Sequence, residues 1–208
     1  MLGSRPRFLV AGALVGLCLA GPAFAASPKE QLQAGIDRIL GTFGDGSLKT
    51  ADAAERRQRV RAIAAELFDW GETARRALGH HWPTLTDDQR QEFVQLFRSH
   101  LERAYLSRLD LYHGERIAYG GELVDGDRAM VHTKVVSAPD ALLTSQQKPA
   151  IGIDYLMIRR GDRWQVYDVV LDGVSVVSNY RKQFDAIIQR SSWEGLLTRM
   201  RAKQAERQ

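Results

Sequence analysis

Trp164 to Phe184 reads "WQVYDVVLDGVSVVSNYRKQF". The stretch begins with the alternation of a strand and ends with the spacing of a helix. Asp168, Asp172, Ser175 and Ser178 interrupt an otherwise apolar run. Gly173 permits a sharp bend between the two halves. Tyr180, Phe184, Ile187 and Ile188 carry the apolar surface onward along the helix. Periodicity marks this surface as interior. It does not separate a filled core from the wall of a cavity.

Upstream lie three more segments of the same kind. "ERIAYGGEL", "RAMVHTKVV", "AIGIDYLMIRR" and "RWQVYDVVL" predict four strands. "VDGD" and "RGD" join them in pairs as hairpin turns, and a longer link, Ser137 to Pro149, connects the pairs. Ala129, Val131, Thr133 and Val135 share one face of their strand. Ile151, Ile153, Tyr155 and Met157 do the same on theirs.

The N-terminal half is helical. Ser27, Pro28 and Glu30 form a capping box with proline at the first helical position. Leu32, Ile36, Ile39, Leu40 and Phe43 follow at helical spacing, and "GDGSLKT" then breaks the pattern. A second helix is expected from Ala51 to Phe68, with an apolar stripe of Val60, Ile63, Ala64, Leu67 and Phe68 and a coat of arginines. Gly71 and Gly79 bracket a short helix. Thr86, with Gln89 in the capping-box position, opens a long one whose face carries Phe93, Leu96, Phe97, Leu101, Ala104, Tyr105 and Leu109. After the strands come a helix from about Val177 to Gln189 and a short one from Trp193. The order predicts an α+β domain: N-terminal helices (28–112) and C-terminal helices (177–203) packed on a curved four-stranded antiparallel sheet (115–171). Long aromatic helices against such a sheet can enclose an apolar cavity.

The 208-residue chain, 44% hydrophobic and 26% charged, has a globular composition. Arg5 and Arg7, the apolar run "FLVAGALVGLCL" and the small residues of "AFA" at 23–25 make a secretory signal, with cleavage expected after Ala25. The run is too short to span a bilayer. Residues 26–208 are then one exported domain. Cys18, the single cysteine, lies inside the signal, and Leu17 before it argues against a lipid anchor. The exported part therefore has no disulfide and no thiolate metal site. Two of the four net positive charges belong to the signal, which leaves too little to point to nucleic acid.

Each polar constellation has a plain reading. His80 and His81 in "HHW" are expected to point apart, as adjacent residues do, and to form a polar turn; no metal site is assigned. Asp168 within the last strand is either a surface partner of an arginine or a buried general base with Tyr155 or Tyr167 as proton donor. Asp172 belongs to the Asp-Gly turn. Arg75, Arg76, Arg181 and Lys182 are either solvated helix faces or a basic rim for an anionic head group. No nucleophile motif or phosphate-cradling loop is present.

Taken together, "WQVYDVVLDGVSVVSNYRKQF", "LFDWGETARRALGHHWPTLTDDQRQEFVQLFRSHLERAY" and "SWEGLLTRMR" resemble the MlaC, or toluene-tolerance, family of periplasmic phospholipid-binding proteins. The resemblance runs from about Pro28 to Lys203, and "VYDV", "GVS", "NYR" and "QF" in fixed order carry it. It implies a periplasmic, monomeric, non-enzymatic carrier with no cofactor, which holds phospholipid acyl chains inside and maintains outer-membrane lipid asymmetry. The implied partners are an inner-membrane ABC transporter with an MCE-domain protein and an outer-membrane lipoprotein–porin complex. A hopanoid or other non-phospholipid is an alternative cargo. An enzyme on a similar scaffold using Asp168, or an envelope protein binding a partner through its arginine-rich second helix, are alternative functions.

Solvation gives such a carrier its reason. Two acyl chains in water cost roughly 20 kcal/mol, at about 0.8 kcal/mol per methylene. The carrier's wall must match the bilayer interior without surpassing it. From the long helix the expected wall is Phe97, Leu101 and Tyr105, and Val174, Val176, Tyr180 and Phe184 close it. From the sheet it is Val131, Val135, Ile153, Tyr155, Met157, Tyr167 and Val169. Arg75, Arg76 and Arg181 are the expected head-group rim.

Overall fold

Two capping boxes set where the first and fourth helices begin. In the computed structural model, which describes residues 26–44, 53–109, 115–136 and 150–205, Ser27 Oγ accepts from the Glu30 amide at 3.2 Å. The Glu30 carboxylate accepts in return from the Ser27 amide at 2.8 Å. Helix α1 follows from Pro28 to Gly44. Thr86 and Gln89 exchange the same pair of bonds, at 3.3 and 2.9 Å, to start α4, Asp87–Leu109. Each box satisfies amides that a helix start leaves without partners. The expected signal peptide, most of the "GDGSLKT" break and the Ser137–Pro149 link lie outside the described residues.

Helix α2 runs from Ala53 to Leu67 and α3 from Trp70 to Leu78. Asp69 caps α3, its Oδ1 accepting from the Glu72 amide at 2.8 Å. A 3-10 turn, Gly79–Thr84, leads to α4. The strands are β1 (Arg116–Asp125), β2 (Arg128–Val136), β3 (Ile151–Arg160) and β4 (Arg163–Leu171). A two-residue β5, Val174–Ser175, follows. The sheet is an antiparallel meander in the order β1-β2-β3-β4-β5.

The sheet therefore has five strands where the alternation predicts four. Asp172 and Gly173 both adopt positive φ, 45° and 82°. That is the tight hairpin turn whose twist suits flanking strands. The chain doubles back, and Val174 and Ser175 pair with Leu171 and Val170 before the helix begins. Two residues are too short a run for alternation to register.

Two irregularities interrupt the strand ladders. Gly120 and Gly121 bulge out of β1 between Tyr119 and Glu122, and β4 is irregular opposite the Leu156–Met157 step. A bulge bends its strand and increases the local twist.

The last helix, α5, runs from Val176 to Ala205 with a break at Ser192, where φ is 67° and ψ 174°. The two C-terminal helices expected from the sequence thus meet at a kink without an intervening loop. The interior falls into two groups. The sheet holds Leu32, Ile36 and Leu67 of α1 and α2 against Ala129, Val131, Met157, Trp164 and Val166. The remaining helices build their own group around Phe93, Phe97, Phe184, Leu196 and Leu197. Among the described residues no helix is long and apolar enough to cross a membrane.

Ser192 occupies backbone space that glycine alone enters without strain, at a cost of about 1–3 kcal/mol. Replacing it with glycine should raise stability by about 1 kcal/mol. Thermal denaturation should show this as a melting temperature about 2–4 °C higher.

Candidate functional site

The apolar face of the sheet loses cover from one end to the other. The strand register makes this visible rung by rung. Ala129, Met157 and Val166 form a rung that is buried throughout. In the next, Val131 is fully buried, while Tyr155 and Val169 keep part of their surface accessible. Thr133, Ile153 and Leu171 follow, with only Thr133 buried, its hydroxyl donating to the Ile153 carbonyl at 2.9 Å. At the open end stand Ile117, Val135 and Ile151, the last 47% exposed. The result is a shelf of aliphatic and aromatic side chains whose burial falls from the Val166 rung to the Ile151 rung.

The polar atoms on this shelf are few and poorly solvated. Burial pushes the Tyr155 phenol up to about 12. It also pushes up the Tyr119 phenol, whose buried oxygen has no hydrogen-bond partner among the described residues.

A second incompletely covered group lies on the helices. Tyr105 of α4 and Val176, Tyr180, Ile187 and Ile188 of α5 pack against the helical core yet remain half-buried. The Tyr180 hydroxyl shares a 3.0 Å hydrogen bond with His100 Nε2, and burial lowers the His100 pKa. Val176 follows β5 directly in the chain.

The structure divides the expected wall residues by burial. Phe97, Leu101 and Phe184 are filled core: the Phe184 ring meets Phe93 and Phe97 edge-on at 5.5 and 5.2 Å. Val131 and Met157 are fully buried beneath α1 and α2. Tyr167 turns toward α3, with the Arg76 guanidinium 4.0 Å over its ring and its carbonyl accepting from Thr73 Oγ1. Val174 is 62% exposed at the β4–β5 turn. Tyr105, Val135, Ile153, Tyr155, Val169, Val176 and Tyr180 are the half-covered ones. Separately, an open cleft of about 190 Å³ lies between α1, α2 and β4, edged by Gln31, Arg38, Glu66 and Arg163. None of the expected wall residues lines it.

Around the expected rim, the sequence did not reveal Glu72. This buried carboxylate accepts two bonds from Arg75, at 2.7 and 2.8 Å, and one from Arg76 at 2.7 Å. The Arg75 hydrogen bond chiefly holds its pKa down to about 2, against the opposing effect of burial. Arg160 adds a third guanidinium 3.7 Å from Glu72, and Arg181 Nε donates to the Arg76 carbonyl at 2.7 Å. Three arginines thus converge on one buried acid, and a fourth, Arg181, stands on the backbone of one of them. In α2, Arg59 pairs with Glu55 and Arg61 with Glu102.

Asp168 is neither a surface ion-pair partner nor an available base. It is 7% exposed. Its Oδ1 accepts from the amides of Val169 and Val177 at 2.8 and 3.0 Å, and its Oδ2 accepts from the Ser175 hydroxyl at 2.6 Å. Ser175 Oγ in turn accepts from the Ser178 amide at 2.9 Å. The pair caps α5, placing negative charge at a helix N-terminus. Asp172 belongs to its turn, as expected, and its Oδ1 accepts from the Gly152 amide at 3.0 Å. The "HHW" histidines depart from expectation: their rings lie 3.9 Å apart, and both reach Asp185. An imidazole carries its Nε2 far from the backbone, so two that leave the chain in different directions can fold back on one partner.

Two outcomes follow from these polar groups. Asp168→Ala leaves three donors without their acceptor, one of them buried, and removes a cap. It should destabilise the fold by about 2–4 kcal/mol in chemical denaturation. Tyr155 supports the folded state fully below about pH 10, the ordinary phenol value, and loses that support as pH rises toward about 12. Tyr155→Phe should therefore flatten that alkaline part of the stability profile relative to the parent.

A family model described as "MlaC protein" matches residues 33–202. The intermembrane phospholipid transport system binding protein MlaC of Haemophilus influenzae is 25% identical over 128 residues. That match takes in 60% of this chain and 57% of the relative, so the chain spans just over half of that protein's length. A phospholipid-binding protein from Ralstonia solanacearum, solved in complex with a phospholipid, has the same fold. Its TM-score is 0.73 at 23% identity, over 87% of this chain and 98% of that one.

Proposed function

Because this chain belongs to the MlaC protein family, we propose that it is a periplasmic phospholipid shuttle. Residues 26–208 form one exported domain, released from its signal peptide after Ala25 and acting as a monomer. Acyl chains lie along the half-covered shelf of Val135, Ile153, Tyr155 and Val169, closed by Tyr105, Val176 and Tyr180 from the helices. Phe97, Leu101, Val131, Met157 and Phe184 back this wall as filled core. The arginines around Glu72 provide the rim for an anionic head group. The cargo passes between an inner-membrane ABC transporter with an MCE-domain protein and an outer-membrane lipoprotein–porin complex.

The observation that carries this reading is the falling cover along the apolar sheet face. Apolar surface removed from water is worth about 25 cal/mol per Å². A face left half-covered by its own chain is a place where a lipid tail gains that stabilisation. The wall offers a tail almost no hydrogen bonds, so holding and release stay balanced against the bilayer. No covalent step is needed, and the one buried aspartate in the region is committed to capping α5.

Organic extraction of the purified protein followed by mass spectrometry should release about one phospholipid per chain. Val169→Glu, which sets a charge on the half-covered shelf, should keep the fold by circular dichroism yet fail to take up lipid from vesicles. A lipid-free extract from the parent, or a variant that still loads normally, contradicts the proposal.

A further inference from the structure

The lipid wall leaves one cluster of metal-ligating side chains unused. It sits where the 3-10 turn meets α5. Gly79, at φ 56°, lies so close to α5 that a side chain there would meet Arg181 Cδ at 3.3 Å. That approach delivers the next two residues to Asp185. His81 Nε2 lies 2.9 Å from Asp185 Oδ1, and His80 Nε2 lies 3.6 Å from the same oxygen. One ligand atom from each of the three residues falls within 4.8 Å of the others. Donors sharing one tetrahedral zinc stand about 3.3 Å apart, as bonds of roughly 2.0–2.2 Å require.

We infer that His80, His81 and Asp185 form a binding site for a divalent transition ion, zinc in the first place. Two imidazoles and one carboxylate are a donor set suited to zinc, and three protein ligands leave a fourth position for water. The surroundings orient the carboxylate. Gln189 Nε2 donates to Asp185 Oδ2 at 2.9 Å, which leaves Oδ1 facing the histidines. Such support of a ligand by an outer hydrogen bond is usual around bound metals. On the preceding turn Arg181 is held by its bond to the Arg76 carbonyl. A staple between the turn and α5 would need only His81. His80 serves no such purpose: its side chain is 74% exposed, and its polar contact among the described residues is the same Asp185 oxygen. On binding, the Nε2 proton of His81 moves to Nδ1, and the hydrogen bond to Asp185 is exchanged for two bonds to the ion.

This inference does not depend on the lipid reading. The test uses tag-free protein stripped with a chelator and titrated with Zn²⁺ against a chromophoric competitor. Cobalt substitution reports the geometry through its visible spectrum. One ion per chain is expected, and His80→Ala and Asp185→Asn should each weaken binding by about ten-fold or more. His80 is exposed, so its replacement does not threaten the fold. If Asp185→Asn binds zinc as the parent does, the His-His pair is acting as it would in any flexible chain and the site is refuted. Absence of binding at micromolar zinc refutes it equally.

Discussion

The carboxylate of Asp168 is the point on which the rest of the structure turns. It sits on β4 and caps a helix that begins eight residues later, through a hydrogen-bonded serine and two backbone amides. An unpaired charge this well buried would be strongly unfavourable, and unsatisfied amides at a helix start nearly so. Each answers the other. The Asp172–Gly173 turn makes the arrangement possible by folding the chain back on β4 just before the helix starts. Strand β4 is also where α3 attaches: Phe68 bridges to Val166, the Asp69 amide donates to the Val166 carbonyl at 2.9 Å, and Thr73 Oγ1 bonds the Tyr167 carbonyl. One strand therefore positions the helices that follow it and one that precedes it.

That wiring lets the interior divide in two without the domain coming apart. Small domains generally bury one contiguous core. Here the sheet and α1–α2 share one group, and α3, α4 and α5 share another. Polar bonds along β4 keep the two groups in fixed relation, so less of that work falls on apolar packing between them. Apolar side chains packed at the edge of each group remain half-covered.

The arginine cluster at Glu72 follows the same logic. Glu72 neutralises part of the charge of Arg75 and Arg76, and fixes where their guanidinium groups stand. An excess of positive charge remains at the cluster, since Arg160 and Arg181 add to it. Placement of this kind favours an anionic group of defined position over a diffuse basic surface.

Local chemistry was legible in the sequence because it depends on neighbours a few residues apart. The two capping boxes, the three Gly-containing turns, the four long strands and the helix breaks near Gly79 and Ser192 all answer to that rule. So does the family, since its pattern lies in the residues themselves. What the tertiary structure alone decided are relations across the chain. The role of Asp168 depends on a helix start brought back by a turn. Glu72 looks like any surface glutamate until β4 and Arg160 close over it. The meeting of His80, His81 and Asp185 spans 105 positions. Above all, burial is a three-dimensional quantity: Phe97 and Tyr105 occupy the same apolar face of one helix, yet one is closed into the core and the other stays half-open. Periodicity tells which way a side chain points, and only the packed neighbours determine whether anything is left in front of it.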